Sequence, residues 1–326
     1  MSMIAPAQGR DGAGRLPGLL TVSAQFTRLL QRRDLAVSDV VRGAAPGTRR
    51  LLLGPPGTES VTHVLAASCW PQDTGSVDDE YVLLEQVTSV LSPGLRRSLP
   101  RFLERVDVYG SDDGLLLTAV PGLGGAKDAR RATAGVPQLL EALPGWLAAL
   151  WSESRAGLAP TDLGRDAVDA MLAHRDRARP PQPSLESLRQ ARERLADIEV
   201  PRTVTHGCLC RRHVTVGCDG VPGVDDWGLG NLAGDPLRDL GRLTLDLVGP
   251  RLPEVIEGKT PFAAMIRHFM SEAIGRHLEV TPLPWREVLV LSQVELSLEA
   301  LGRTDPNNLV RLSGAVRALH DSARTA

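Results

Sequence analysis

The sequence predicts an α+β fold in two parts, a small antiparallel β lobe that includes one helix and a large, mainly helical lobe. Before residue 122, short runs of apolar and β-branched residues alternate with Gly- and Pro-rich turns. Beyond residue 124 the apolar residues instead recur at helical spacing. We therefore expect a flexible tail over residues 1–20, a small N-terminal lobe over 21–122 and a helical C-terminal lobe over 123–326.

The small lobe is predicted to begin with a short helix within Thr21–Arg33, where apolar residues have helical spacing. Three strands, a packed helix and a final hairpin follow. Their ranges are Ala36–Val41, Arg49–Leu53 and Ser60–Ser68 for the strands, Asp78–Leu91 for the helix, and Arg105–Tyr109 with Leu115–Val120 for the hairpin. Between the second and third strands lies Gly54-Pro55-Pro56-Gly57. Two prolines and the absence of a lysine favour a hairpin turn there over a phosphate-binding loop.

The large lobe is predicted to consist of helices around a short β segment. The helical ranges are Val136–Arg155, Gly164–Arg179, Leu185–Ile198, Pro236–Val248, Pro261–Leu278, Pro284–Leu301 and Asn308–Ala323. The last four begin at Pro or Asn, which are typical of helix N-termini. Short strands are expected at Arg202–Thr205, Val214–Val216 and Gly223–Asp225.

Composition restricts the classes of function. The chain has 326 residues and a formal net charge of −2, which gives no overall attraction to nucleic acid or to an anionic membrane. It has no apolar run of about 18 residues, the length that a transmembrane helix needs. Residues 1–20 lack the apolar region of a signal peptide, and the 4 cysteines do not suggest a disulfide framework. We expect a cytoplasmic protein that binds neither nucleic acid nor membrane.

The most informative segment is His206-Gly207-Cys208-Leu209-Cys210-Arg211-Arg212-His213, followed by Val224-Asp225-Asp226-Trp227-Gly228. It resembles the active-site segment of the aminoglycoside/choline-type phosphotransferases, which have a protein-kinase-like fold. That family has His-Gly-Asp, four residues, Asn, and then a strand ending in Ile-Asp-Trp or Ile-Asp-Phe. Gly234–Leu240 resembles the family's Gly-Asp-Pro-x-x-Asp-Leu run, and Leu115–Gly122 resembles its hinge strand. The likeness is specific over residues 204–241.

The resemblance implies a role for each position, and the chain departs from the family at two of them. Cys208 stands at the position of the catalytic Asp, and His213 stands at that of the metal-binding Asn. Asp226 keeps the metal-binding Asp. A thiol with a pKa of about 8.5 is a poor general base at neutral pH, and magnesium prefers oxygen ligands to imidazole. His206, Asp235 and Asp239 are expected to have structural roles in the loop and the following helix.

The family also needs a lysine in the small lobe that holds the nucleotide phosphates, and no lysine precedes Lys127. The nearest cations are His63 on the third strand and Arg49 and Arg50 one strand earlier. Glu80 and Glu85 are candidates for the helix glutamate that orients this lysine. Neither has an evident partner, so a solvent-exposed residue is the expectation for both.

These departures predict a degenerate kinase homologue, a pseudokinase, in which ATP or GTP with Mg²⁺ binds weakly or not at all. We expect it to act as a binding, scaffold or activator protein for a peptide or a partner enzyme. The resemblance also implies a setting in bacterial natural-product biosynthesis.

Two alternatives remain open from the sequence. One is an active or atypical phosphotransferase for a small-molecule or peptide hydroxyl. The other is a rebuilt transition-metal site, because the kinase frame would bring Cys, His and Asp to one place. The soft and borderline ligands near this place are His206, Cys208, Cys210, His213, Cys218 and Asp226. Cys-x-Cys-x-x-His is not a strong zinc signature, and the cysteines are equally explained as small buried residues.

Overall fold

The structure is a computed structural model of the chain. It describes residues 23–45, 47–68, 75–108, 114–123, 135–155, 161–162, 193, 199–275, 285–289 and 292. The chain forms two compact units. The first comprises Met1–Gly135 and Arg212–Gly230, and the second comprises Val136–Arg211 and Asn231–Ala326. Each unit is therefore built from two separate stretches of the chain.

The helices and strands are numbered here in chain order. They are α1 (Ala24–Arg32), β1 (Ala36–Arg42), β2 (Thr48–Gly54), β3 (His63–Ser68), α2 (Gly75–Val90), α3 (Pro93–Arg96), β4 (Phe102–Val106), β5 (Gly114–Thr118), α4 (Val136–Glu153), β6 (Thr161–Asp162), β7 (Glu199–Val200), β8 (Thr203–Thr205), β9 (Val214–Val216), β10 (Pro222–Val224), β11 (Asn231–Gly234), α5 (Pro236–Val248), α6 (Leu252–Glu257) and α7 (Pro261–Gly275).

A five-stranded sheet with the order β1-β2-β3-β5-β4 forms the centre of the first unit, and every neighbouring pair in it is antiparallel. This confirms the predicted antiparallel β lobe. The turn at Gly54–Gly57 joins β2 to β3 as a hairpin, and the amide of Thr58 donates to the carbonyl of Pro55 across it (3.2 Å). β9 and β10 form a separate antiparallel pair in the same unit.

The central strands are buried on both faces, so each face has its own apolar cluster. Leu51 and Leu53 of β2 pack with Leu65 of β3 and with Phe26 of α1. Because side chains alternate along a strand, Leu52 belongs to the opposite face, where it packs with Val64, Val61, Val120 and Leu123. The same alternation places Arg50 on the face of Leu52.

Helices dominate the second unit, as predicted. α4 packs against α7 and β8, and its buried residues include Trp146 and Trp151. α5 has the predicted bounds, and its N-cap Asp235 accepts a hydrogen bond from the amide of Leu237 (2.8 Å). The sequence did not predict α6, which spans only six residues and is capped at its C-terminus by Gly258, with a φ of +74°.

Several predicted segments lie outside the described residues. They are the tail over residues 1–20, the helices Gly164–Arg179, Leu185–Ile198 and Asn308–Ala323, and all of Pro284–Leu301 except residues 285–289 and 292. Within the described part of the chain, no helix combines the length and the apolar character that crossing a membrane requires.

Candidate functional site

Asp226 lies just after β10 and is the motif residue that the resemblance assigns to metal binding. Its φ is +68°, a left-handed conformation that non-glycine residues rarely adopt and that Asp and Asn tolerate best. Such conformations persist where surrounding contacts enforce them, and they are common at functional sites. Here both carboxylate oxygens are engaged. Oδ1 accepts from Arg50 Nη2 at 2.6 Å, and Oδ2 accepts from the Ala44 amide, also at 2.6 Å.

The Arg50 guanidinium also pairs with Glu80. Its Nη2 lies 2.7 Å from each carboxylate oxygen of Glu80, whose Oε1 additionally accepts from the Trp227 amide at 3.2 Å. Arg50 and Glu80 are each 2% exposed and Asp226 is 4% exposed. A single nitrogen therefore connects a sheet strand, helix α2 and the motif loop. We name these three residues, Arg50, Glu80 and Asp226, the arginine cluster.

The expectation that Glu80 is solvent-exposed and lacks a partner was wrong. α2 buries Val77, Leu84 and Val87, and Glu80 lies at the matching three- and four-residue spacings on the same face. Glu85 does lie on the exposed side, where it accepts from the hydroxyl of Tyr81 (2.5 Å). The buried face of α2 thus carries the carboxylate of Glu80 among its apolar side chains.

The register of the sheet explains why the cation of this cluster comes from β2. His63 pairs with Leu53, so it lies on the face of α1, away from Glu80. Arg50 pairs directly with Ala66 of β3. Directly opposed residues of an antiparallel pair have Cβ atoms about 5 Å apart on the same face. A cation at Arg50 therefore reaches the space beside the small side chain of Ala66.

Burial and charge act in opposite directions within the cluster. Burial raises the pKa of Glu80, Arg50 partly opposes this, and the pKa is about 7. Burial lowers the pKa of Arg50, but Asp226, Glu80 and Asp225 together raise it well above its ordinary value. Arg50 is therefore permanently charged, and it is surrounded by more negative charge than it neutralises.

His213 lies beside Asp226, as the resemblance implies. Its Nε2 is 3.7 Å from Oδ2 of Asp226, and it accepts a hydrogen bond from Arg212 Nε at 2.9 Å. A ring nitrogen that accepts from Arg212 has no proton to donate to Asp226. The first unit therefore brings together Asp226 and His213. Cys208, the third residue of the implied site, belongs to the second unit.

In the second unit, the loop at Cys208 is fixed by its backbone. Gly207 has a φ of +78°. Asp239 accepts from the amides of His206 (2.5 Å) and Gly207 (3.0 Å), and Arg242 Nη1 donates to the carbonyl of Gly207 (2.7 Å). The amide of Cys208 donates to Nδ1 of His206 at 3.3 Å. Asp239 and His206 thus hold the loop that presents Cys208.

These residues do not fit a magnesium nucleotide. Magnesium needs several oxygen ligands at about 2.1 Å in octahedral geometry. Asp226 already accepts from a guanidinium and an amide, and the nearby His213 offers nitrogen. No lysine precedes Lys127. Over the residues that the structure describes, no three His, Cys, Asp or Glu side chains are grouped so that they could hold a metal ion.

Comparison with known proteins gives structural matches only. No protein-family model and no curated protein sequence matches the chain. Solved structures match over nearly its whole length. A thermostable mutant of an aminoglycoside phosphotransferase in its apo form has a TM-score of 0.57 at 15% identity, covering 92% of this chain and 99% of its own.

Two further structures give the same result. An aminoglycoside phosphotransferase in complex with GDP and kanamycin has a TM-score of 0.56 at 15% identity, covering 93% of this chain and 99% of its own. A macrolide 2′-phosphotransferase apoenzyme from Brachybacterium faecium has a TM-score of 0.52 at 16% identity, covering 89% and 97%. The chain therefore has the kinase-like fold of these phosphotransferases, which confirms the resemblance at the level of the fold.

Proposed function

We propose that this protein is a pseudokinase, a kinase-fold protein that binds a ligand or partner and does not carry out magnesium-dependent phosphoryl transfer. One observation carries the proposal. Asp226 stands at the metal-binding position of the motif, and both of its carboxylate oxygens are bound by groups of the protein itself. A metal ion would have to displace Arg50 or the Ala44 amide from a buried carboxylate.

The position of Ala44 supports the proposal further. This residue lies in the turn between β1 and β2, the region that covers the nucleotide phosphates in protein kinases. Here the turn directs an amide at Asp226 instead. Cys208 adds a second loss, because a positioned general base contributes about 10²–10⁴ to a rate and a neutral thiol cannot replace a carboxylate in that role.

The ligand that we propose is a peptide or a partner enzyme, in bacterial natural-product biosynthesis. Four arginines between residues 96 and 105 are candidates for contact with an acidic peptide, and two of them have partners within the protein. Arg105 pairs with Asp78 (2.6 Å), and Arg96 donates to the carbonyl of Leu91 (2.6 Å). Arg97 and Arg101 are exposed and are the arginines of this group that we expect to contact such a peptide.

The test is calorimetric titration of ATP and of GTP into the purified protein, with and without magnesium. We expect no magnesium-dependent binding and no phosphoryl transfer to water. The double variant Cys208→Asp/His213→Asn restores the two motif residues, and it should remain inactive because Arg50 still binds Asp226. Magnesium-dependent binding at micromolar strength, or turnover in either protein, would sink the proposal.

An atypical phosphotransferase is the second candidate, and one observation favours it. Arg50 pairs with a helix glutamate, as the phosphate-binding lysine of kinases does. Its Nε and Nη1 are buried and donate to no other described residue, so they could donate to a phosphate oxygen. This candidate predicts nucleotide binding without magnesium that is weakened in Arg50→Lys, because lysine lacks the spare donors.

A further inference from the structure

The arginine cluster concentrates charge in a way that requires a cation. Glu80 and Asp226 bring two acidic groups into a site that is almost closed to solvent, and Asp225 adds negative charge close by. Burying a carboxylate without a partner costs several kcal/mol, so such groups are paired or coordinate a metal. Among the described residues of this unit, the guanidinium of Arg50 pairs with both carboxylates, at 2.6 Å from Asp226 and 2.7 Å from Glu80.

The contacts of this guanidinium are those of a point charge. Arginine commonly binds carboxylates with two nitrogens in a fork. Here Nη2 alone makes all three contacts, whereas Nε and Nη1 bind no other described residue. A single positive centre bound by oxygens of two acidic side chains is the arrangement that a divalent ion would otherwise provide.

The cluster also fixes the motif loop. Asp226 is held at a φ of +68°, with one oxygen on Arg50 and the other on the Ala44 amide, and the next amide, that of Trp227, donates to Glu80. The left-handed conformation is thereby enforced from two sides by groups of the protein.

We propose that the guanidinium of Arg50 is a permanent, built-in replacement for the divalent metal ion at Asp226, so that the motif loop is held in place without any metal. The inference rests on the proposed loss of magnesium-dependent chemistry and names the residue that takes over the ion's structural role. It also identifies a latent site. Removal of the positive charge at residue 50 would leave Glu80 and Asp226 as an all-oxygen pair suited to a hard divalent cation such as Mn²⁺ or Mg²⁺.

The first experiment uses the full-length wild-type protein. Its thermal unfolding is measured after dialysis against a chelator and again with millimolar Mn²⁺ or Mg²⁺. We expect the same melting temperature under all conditions, because Arg50 already binds the carboxylate oxygens of Asp226 and Glu80 that a metal ion would need. A metal-dependent rise in the wild-type melting temperature would overturn the inference.

The second experiment removes the charge. Arg50→Met should melt well below the wild type in chelator and should recover by at least about 4 °C in saturating Mn²⁺, since a ligand that binds only the folded state stabilises it. The recovery should vanish in Arg50→Met/Asp226→Asn, which lacks the key ligand. Arg49→Met is the matched control, because Arg49 is the neighbouring arginine on the same strand and, among the described residues, its side chain donates to the carbonyl of Thr48 and not to the cluster. It should not respond to metal.

Arg50→Lys keeps the experiment decisive if Arg50→Met does not fold. A lysine ammonium keeps the positive charge and offers three N–H donors on one nitrogen for the three contacts that Nη2 of Arg50 makes, so this variant should fold and stay insensitive to metal. If Mn²⁺ raised the melting temperature of Arg50→Lys as much as that of Arg50→Met, the positive charge at residue 50 would not be what replaces the metal ion.

The outcomes separate this inference from the proposed function. Stabilisation of the wild type by metal, without any phosphoryl transfer, would remove the inference and leave the pseudokinase proposal standing. Phosphoryl transfer by a protein whose melting temperature does not change with metal would overturn the pseudokinase proposal. It would leave the structural role of Arg50 standing.

Discussion

The guanidinium of Arg50 and the carboxylate of Asp226, 176 residues apart in the chain, are joined by a contact of 2.6 Å between Nη2 and Oδ1. The contact ties the second strand of the sheet to the loop after β10. Because both side chains are almost fully buried, the two ends of the contact cannot be solvated independently. The stability of the first unit therefore depends on the arginine cluster as a whole.

The first prediction concerns how much Glu80 contributes to the free energy of unfolding. Glu80→Ala should cost about 3–5 kcal/mol of unfolding free energy, because it removes one partner of a buried ion pair and leaves the Trp227 amide without this acceptor. Chemical denaturation of the full chain measures it. Glu85→Ala, on the exposed side of the same helix, is the control and should cost less than about 1 kcal/mol. Equal effects of the two substitutions would contradict the assigned burial.

The second prediction separates conformation from charge at Asp226. Asp226→Asn keeps a side chain that tolerates the left-handed region, and it leaves Arg50 balanced by Glu80 alone. Its amide nitrogen cannot accept a hydrogen bond, so one of the two contacts is lost, and we expect a cost of about 1–3 kcal/mol. Asp226→Ala loses both contacts and adds about 1–2 kcal/mol of backbone strain. Because only the alanine variant loses both contacts and adds this strain, its unfolding free energy should be lower than that of Asp226→Asn by at least about 1 kcal/mol. A smaller difference would argue against enforced strain.

The third prediction concerns pH. The pKa of Glu80 is raised from 4.5 to about 7 in the folded protein. The folded state therefore holds this proton more tightly than the unfolded state does. Stability from the protonated group is fully present below pH 4.5 and is lost as the pH rises through 7. Unfolding free energies should decline over this window in the wild type, and Glu80→Gln should flatten the decline.

A control for the pH experiment is Glu85→Gln, which should keep the slope of the wild type. Asp226→Asn gives an independent check, because the charge of Asp226 is one of the causes that raise the pKa of Glu80. Its slope should be shallower than that of the wild type. An unchanged slope in Glu80→Gln would assign the titration to another group.

The fourth prediction concerns the loop at Cys208 in the second unit. Asp239→Ala leaves the buried amides of His206 and Gly207 without this acceptor, and each such loss costs about 1–3 kcal/mol. Asp246→Ala is the matched control on the same helix, since the exposed Asp246 accepts only the amide of Arg211 among the contacts seen here. Denaturation midpoints should fall clearly for Asp239→Ala and little for Asp246→Ala. Similar midpoints would mean that the loop has other support.

Local signals were sufficient for most of the fold. The bounds of α5 follow from an Asp-Pro start and from apolar periodicity, and the strands β1, β2 and β3 follow from runs between turns. Both signals act within a few residues, so the sequence contains them explicitly. The short helix α6 escaped prediction because its six residues hold too few turns to display periodicity.

The arginine cluster was not predicted, for a physical reason. The residues of the motif are recognisable because they are close in sequence. The partnership of Arg50 with Glu80 and Asp226 depends on the register of β2 against β3 and on which face of α2 is buried. His63 looked equally suitable until the pairing with Leu53 placed it on the other face. The spacing of Val77, Glu80, Leu84 and Val87 was the one available signal that Glu80 is buried.

The two-part origin of the first unit has a consequence for biosynthesis. Residues 212–230 complete a unit whose other residues all precede position 136. On the ribosome, the sheet strands emerge long before Asp226 does. About half of the chain is synthesised between Arg50 and Asp226, so the arginine cluster can be completed only late in translation. A nascent chain stalled before residue 226 would hold a buried arginine and glutamate in an unfinished domain. Chaperone dependence should therefore be greatest over that interval of translation.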